Sequence, residues 1–189
     1  MKKSIILLII SIVALCIPMH AQHMKFMGIP LTGTITQFQS KLTAKGVKYD
    51  KTTSGILPTG VRAYTGTFAG QKADFYVYYE SSSKIVYRAK AVIGCISESI
   101  CEQVYSEMLS MLSTKYSDAY TESGYQDGHE TCLIVVSQEG QNELRDILGT
   151  IGLYVVDEGI SYPFVKRVHV DYTDYQNSNK SEESKMKDL

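Results

Sequence analysis

The sequence predicts an α+β fold in which two helix-plus-antiparallel-sheet units form one domain. Apolar residues recur with a period of two over most of the chain beyond residue 47, which is typical of strands with one buried face. The two segments with helical periodicity are each followed by a run of strands, an order that favours α+β over alternating α/β. The halves 30–93 and 97–172 share this order, so one sheet, or two sheets in a pseudo-duplicated domain, would satisfy the pattern.

The first helix is expected after a short strand that ends at Pro30. Thr34 and Gln37 form a capping box, in which each side chain accepts a hydrogen bond from the backbone N–H of the other residue. Phe38 and Leu42 then lie on one helix face. Gly46 is a natural residue for the end of this helix, which should pack against a sheet.

Three antiparallel strands should complete the first unit. Segments 61–69 and 72–80 flank a turn and predict a hairpin, and a third strand runs to Ile93. In that third strand, Arg88 and Lys90 alternate with inward-pointing apolar residues and should therefore point outward.

The second unit begins with the longest predicted helix, 97–116, for which either Ser97 or Ser99 could be the N-cap. Its apolar stripe, which includes Cys101 and Met108, is read as core packing rather than a binding face. The segments expected after it are strands at 119–124 and 130–137 around an Asp-Gly turn, a brief helical turn at 141–148, strands at 151–156 and 164–172, and a polar disordered tail at 176–189. The domain itself is expected to span 22–175.

Residues 1–21 have the pattern of a secretory signal peptide. Lys2 and Lys3 precede an apolar run that Pro18 ends, and Ala21 supplies a small residue for cleavage. The run is shorter than the roughly 20 residues that a membrane-spanning helix needs. A lipid anchor at Cys16 is disfavoured because a leucine precedes it. We therefore expect an exported protein, periplasmic or secreted, with no stable membrane insertion after cleavage.

The cysteines that remain after cleavage are Cys95, Cys101 and Cys132. An exported protein permits disulfides, and Cys95 ends a predicted strand while Cys101 begins the following helix. A Cys95–Cys101 bridge and two free thiols are both compatible with this spacing. Cys132 lies within a predicted strand, where a buried thiol behaves as a small hydrophobe.

Charge and motifs exclude several classes of function. Removal of residues 1–21 takes two lysines and changes the formal net charge from −1 to −3, which offers no general attraction to nucleic acid. The sequence contains no metal-binding spacing of Cys or His, no phosphate-binding glycine loop and no nucleophile elbow. We therefore assign no catalytic residue, metal or cofactor.

Tyrosine is the feature that points to binding. The chain has 14 tyrosines and no tryptophan. Tyr76 and Tyr78 lie on the strand face opposite Phe75 and Val77, so they are candidate binding residues for a protein, peptide or glycan. The alternative is that a helix covers this face as well.

A second candidate site lies on the last strand, where Arg167, His169 and Asp171 share one face. Alternate strand residues project side by side, so His169 and Asp171 could form a general-base arrangement of a hydrolase-like enzyme. A solvated outer sheet face explains the same residues, and we favour that interpretation.

Two segments carry a resemblance to known proteins. The segment 24–31 with the Gly33-Thr34 helix start, and the ending 168–174, resemble a group of small, largely uncharacterised exported proteins of Bacteroides-type bacteria. This resemblance implies a periplasmic or secreted location and carries no catalytic residues. The helix-then-sheet order is also similar to the folds of β-lactamase inhibitor protein and of small outer-membrane assembly lipoproteins. The function we expect is a non-enzymatic binding or interaction module, with a hydrolase-like enzyme or a cell-envelope structural component as alternatives.

Overall fold

The structure is a computed structural model that describes residues 22–126, 128–139, 145–157 and 166–186. The predicted signal segment lies outside the described residues. The described helices are α1 (Ile35–Ala44), α2 (Lys51–Ile56), α3 (Glu98–Lys115) and α4 (Tyr175–Met186). The described strands are β1 (Lys25–Phe26), β2 (Ile29–Pro30), β3 (Lys48–Asp50), β4 (Val61–Phe68), β5 (Gln71–Tyr79), β6 (Val86–Cys95), β7 (Tyr120–Gln126), β8 (His129–Glu139), β9 (Arg145–Asp157) and β10 (Lys166–Asp174).

Strands β3 to β10 form one antiparallel sheet in the order β3-β4-β5-β6-β10-β9-β8-β7. The centre of this sheet is the pairing of β6 with β10, which places Val168 opposite Ile93 and Val170 opposite Ala91. The α+β prediction is confirmed, and the strands of both predicted units join in a single sheet. This non-local pairing brings residues that are about 80 positions apart in the sequence into direct contact.

One face of the sheet, here called the inner face, packs against α1, α3 and the β1–β2 hairpin. The apolar side chains of these elements share one core with Phe75 of β5 and Val170 of β10. Phe26 of the hairpin occupies its centre, with its ring centroid 5.4 Å from that of Tyr172 and 5.9 Å from that of Phe75. Burial of large apolar side chains, worth roughly 2 kcal/mol each, therefore holds both helices to this face.

The local start signals of the two long helices act as predicted. Thr34 and Gln37 make both hydrogen bonds of the capping box at α1. At α3 the N-cap is Ser97, whose hydroxyl accepts a hydrogen bond from the backbone N–H of Ile100 at 3.3 Å. Ser99, the alternative cap, lies inside the helix.

Two segments between the predicted elements differ from expectation. Residues 51–56 form the short helix α2, whose N-cap Asp50 accepts a hydrogen bond from the backbone N–H of Thr53 at 2.9 Å. Residues 145–148 belong to β9 and not to the expected helical turn, because they pair with β8, with Ile147 opposite Ser137. The other half of that predicted turn, 141–144, lies outside the described residues.

The expected disordered tail also differs, since α4 runs from 175 to 186. Its N-cap Asp174 accepts a hydrogen bond from the backbone N–H of Asn177 at 3.0 Å. The Asn177 amide donates to the carbonyl of Leu31 at 2.8 Å, and Ser181 is also buried. Hydrogen bonds between polar side chains and backbone groups distant in sequence stabilise this helix, and apolar periodicity cannot reveal such contacts.

Candidate functional site

The sheet face opposite the inner face, here called the open face, brings the two predicted sites together. Strand alternation places Tyr76 and Tyr78 of β5 on it, and both are half-buried. His169 and Asp171 of β10 point to the same side, because β6 lies between β5 and β10 and sets their register. Tyr76, Tyr78 and His169 line one cavity of about 340 Å³. We call it the open-face cavity.

Asp171 is the centre of a fully bonded cluster beside this cavity. Arg88 of β6 contacts both of its carboxylate oxygens, with Nε 2.8 Å from Oδ1. The Tyr154 hydroxyl of β9 donates to Oδ2 at 3.2 Å. The hydrogen bond to Asp171 is the main cause that raises the pKa of Arg88, whereas burial is the main cause that raises the pKa of Tyr154. The Arg88 guanidinium also lies over the Tyr78 ring, 4.7 Å from its centroid.

His169 stands next to this cluster but outside its hydrogen bonds. It is only 8% exposed, and its ring centroid lies 5.1 Å from that of Tyr154. Neither ring nitrogen has a hydrogen-bond partner among the residues that the structure describes. Burial, assisted by the positive charge of Lys90, lowers the pKa of His169 to about 4, so the imidazole is neutral at neutral pH. A neutral imidazole has one donor and one acceptor nitrogen, and leaving both dry is costly.

Two cationic side chains also line the cavity. Arg167 of β10 lies 3.7 Å from the carboxylate of Asp74 on β5. Lys90 of β6 sits opposite Tyr76 on one side and Asp171 on the other, and it makes no ion pair within the described part of the chain. Burial lowers the pKa of Lys90, partly offset by the negative charge of Asp171. The ammonium group is therefore partly desolvated without a direct counter-ion.

The remainder of the cavity wall is apolar. Val92, 3% exposed, lies at its base, opposite His169 in the strand register. Leu57 and Pro58, which follow α2, and Val61, the first residue of β4, form one side. A few polar groups that converge in a largely apolar concavity are typical of small-molecule sites.

The structure corrects the interpretation that His169 and Asp171 lie on a solvated outer face, and it does not test the hydrolase-like alternative. His169 and Asp171 do not lie on a solvated outer face, because Tyr154 and Arg88 cover them and both are buried. Asp171 bonds to Arg88 and Tyr154, and no hydrogen bond joins it to His169 in the described residues. The arrangement is therefore an ion-pair cluster next to a neutral imidazole.

Sequence reasoning placed Arg167 on one face with His169 and Asp171, but it did not assign Arg88, Lys90 or Tyr154 to this site. Alternation predicted correctly that Arg88 and Lys90 point outward, and that signal could have placed them beside Tyr76 on the neighbouring strand. Tyr154 carried no signal, since its contact with Asp171 depends on the β9–β10 pairing.

Cys95 and Cys101 lie close together on the inner face of the sheet, and no disulfide joins them. Both are free and buried, as is Cys132. Burial and the contact with the Cys95 side chain raise the pKa of Cys101 to about 12. In this form the thiol is protonated and a poor nucleophile at neutral pH.

A second cavity, of about 360 Å³, lies between α3 and the β7–β8 hairpin. Its walls carry Glu98, Glu102 and Glu130, and Lys166 contacts Glu98 there. Among the described residues, no three His, Cys, Asp or Glu side chains are grouped so that they could hold a metal ion.

None of the helices in the described ranges combines the length and apolar character needed to span a bilayer. Comparison of the chain with protein-family models, with curated proteins and with solved structures gives no significant match.

Proposed function

We propose that this protein is an exported, non-enzymatic binding module and that the open face is its binding surface. The observation that carries the proposal is the open-face cavity, where Tyr76 and Tyr78 lie beside Lys90 and beside the buried imidazole of His169. The imidazole has no hydrogen-bond partner among the residues that the structure describes. Tyrosine and arginine are enriched at binding hot spots, and the open face offers both on strands. Strands in the centre of a sheet hold such side chains more precisely than loops do.

The experiment compares ligands that co-purify with the protein and with two tyrosine variants. The double variant Tyr76→Ala/Tyr78→Ala removes the aromatic wall of the cavity. The control Tyr125→Ala removes a tyrosine that is 75% exposed and outside the cavity. Native mass spectrometry identifies a bound species, and calorimetry with that species measures affinity. We expect the double variant to weaken binding at least about tenfold, in line with loss of an aromatic hot spot, and the control to leave it unchanged.

Equal retention of the same species by the wild type and by the double variant would count against the open face as the binding surface. Unaltered far-UV circular dichroism of the variants is required, so that loss of folding is not mistaken for loss of binding. The tyrosines are half-buried and outside the core, so their truncation should leave the fold intact.

A hydrolase-like enzyme is the second candidate, because His169 lines a cavity and is neutral, as a general base must be. Its low pKa makes it a weak base, and Asp171 is bound elsewhere. Turnover of activated esters and peptides that disappears in His169→Gln would favour this enzyme over the binding module.

Export and a structural role in the envelope have their own tests. The N-terminal pattern supports cleavage near Ala21, so we propose that the protein recovered from periplasm or medium begins near Gln22. N-terminal sequencing measures this directly. A stable complex with envelope components that survives the Tyr76→Ala/Tyr78→Ala change would instead support a structural component.

The strand order supports a further proposal, that the two halves are pseudo-duplicated. In each half a helix, α1 or α3, precedes four strands that run from an edge of the sheet to its centre. The last strands of the halves, β6 and β10, pair with each other. If the halves are equivalent units, the segments 22–96 and 97–189 produced as separate chains should associate and recover the circular dichroism of the whole protein.

A further inference from the structure

We infer that the open-face cavity binds the carboxylate of a hydrophobic monocarboxylic ligand, with Lys90 and His169 as its polar partners and the tyrosines against its apolar body. This inference rests on the proposed binding role of the open face and names the chemistry of its ligand. It is carried by charge, by unsatisfied polar atoms and by the size of the cavity.

The charges around the cavity favour a single negative charge. Arg88 is neutralised by its paired contact with Asp171, and Arg167 lies close to Asp74. Lys90 is left as the cation without an ion pair in the described residues. An anion with one charge would balance Lys90, whereas a dianion would leave one negative charge buried and unpaired, which is expensive.

The unpartnered imidazole favours a ligand that accepts hydrogen bonds. His169 is more than nine-tenths buried, lines the cavity and satisfies neither nitrogen in the described part of the protein. In the neutral ring one N–H is a donor, and a carboxylate oxygen is a strong acceptor. Because both nitrogens are buried, the ring must turn toward the cavity to make this bond. The second carboxylate oxygen can then accept from the Lys90 ammonium, whose residue faces the same cavity. Binding would thus provide partners for two groups that the fold leaves without them.

The apolar wall sets the nature of the ligand body. Tyr76 and Tyr78 are alternate residues of one strand, so their Cα atoms are about 7 Å apart and their side chains leave the sheet on the same face. With Val92 at the base and Leu57 and Pro58 at the side, they surround the polar pair with aromatic and aliphatic surface. A volume of about 340 Å³ is at the lower end for ligand sites and suits one ring or one large side chain. A benzyl or branched aliphatic group next to the carboxylate meets this description.

The test uses 3-phenylpropanoate and its neutral amide, 3-phenylpropanamide, as probes for the purified protein. Calorimetry measures affinity, and chemical shifts of the amides of β5, β6 and β10 locate the site. We expect saturable binding of the acid and at least about tenfold weaker binding of the amide, as for loss of a charge-assisted hydrogen bond. This comparison needs no variant and so cannot fail through misfolding.

Matched lysine variants assign the charge. Lys90→Met removes the cavity cation that makes no ion pair in the described residues, and Lys72→Met makes the same change on the open face of β5, outside the cavity. We expect Lys90→Met to weaken binding of the acid at least about tenfold and Lys72→Met by less than about twofold. Equal effects of the two variants would overturn the assignment, since the anion would then respond only to general charge.

A free acid and a peptide C-terminus present the same chemistry, and a second pair of probes separates them. The tripeptide Ala-Ala-Phe is compared with its C-terminal amide in the same titration. Binding of the tripeptide acid alone would identify a peptide C-terminus as the source, and binding of 3-phenylpropanoate alone a free small acid. If neither acid binds more tightly than its amide, the inference is wrong. The binding-module proposal would survive that result if the Tyr76→Ala/Tyr78→Ala change still removed a co-purifying ligand.

Discussion

His169 should make the stability of this protein depend on pH in a window set by its burial. Its pKa is 6.5 in an unperturbed state and falls to about 4 in the fold. As pH falls, the unfolded chain therefore binds a proton at this residue before the folded protein does. The stability associated with the neutral ring is complete above about pH 6.5 and is lost progressively as the pH falls to about 4.

The size of the effect follows from the shift and from the surroundings of the ring. One pKa unit corresponds to about 1.4 kcal/mol, so the whole shift is worth roughly 3 kcal/mol and about 2 kcal/mol of it is lost by pH 5. Burial is the main cause, and the charges of Lys90 and Arg167 act in the same direction. Asp171 acts in the opposite direction, but Arg88 and Tyr154 hold that carboxylate.

The measurement is urea unfolding of the wild type and of His169→Gln at about pH 7 and pH 5. Glutamine keeps a donor and an acceptor but does not titrate, so carboxylates and other histidines contribute equally to both proteins. We expect the wild type to lose roughly 2 kcal/mol more than the variant between the two pH values. A difference between the proteins that does not change with pH would refute the reasoning, as would a ring pKa near 6.5 in an NMR titration of the folded protein.

Further changes test the fold. Asp174→Ala should lower the free energy of unfolding by about 3 kcal/mol in urea, because its fully buried carboxylate accepts two backbone N–H hydrogen bonds and caps α4. Gly149→Ala should cost at least about 2 kcal/mol, since the added Cβ would lie 1.9 Å from a backbone oxygen of β10. Gly94→Ala, where nothing lies within 4 Å, is the control for that change. Because both thiols are buried and the pKa of Cys101 is raised to about 12, oxidised glutathione should leave Cys95 and Cys101 of the folded protein unmodified at neutral pH, and a loss of about 2 Da in mass would contradict this.

The parts of the fold that the sequence predicted are those encoded by neighbouring residues. Thr34 and Gln37 sit three positions apart and meet as soon as one helical turn forms, so their capping box could be predicted and is present. The helix α4 could not be predicted in this way. Its cap and its Asn177 side chain bond to backbone that is up to 150 positions away, and no local pattern records those bonds.

The candidate site also contains features that neighbouring residues encode and features that depend on contacts between distant residues. Alternation alone puts Tyr76 and Tyr78 on one face and His169 and Asp171 on one face. That the two faces are the same face depends on β6 lying between β5 and β10, which is a property of the strand order. The burial of His169 needs one contact more, the ring of Tyr154 from β9. The strand order and the Tyr154 contact both join residues that are distant in sequence. Periodicity could therefore identify the candidate residues but could not predict that they lie together.

The open face contains both paired and unpaired polar groups in the described residues, and this contrast supports the proposed ligand site. A sheet face that serves only structure would solvate its charged side chains or pair them. The open face pairs Asp171 with Arg88 and Tyr154 but leaves Lys90 and the His169 nitrogens without partners in the described residues. Replacing an unsatisfied buried polar group with an apolar one of similar shape is often stabilising. Such a group, held at the wall of a cavity beside a cation without an ion pair in the described residues, therefore makes physical sense when a ligand accepts the hydrogen bond of its N–H.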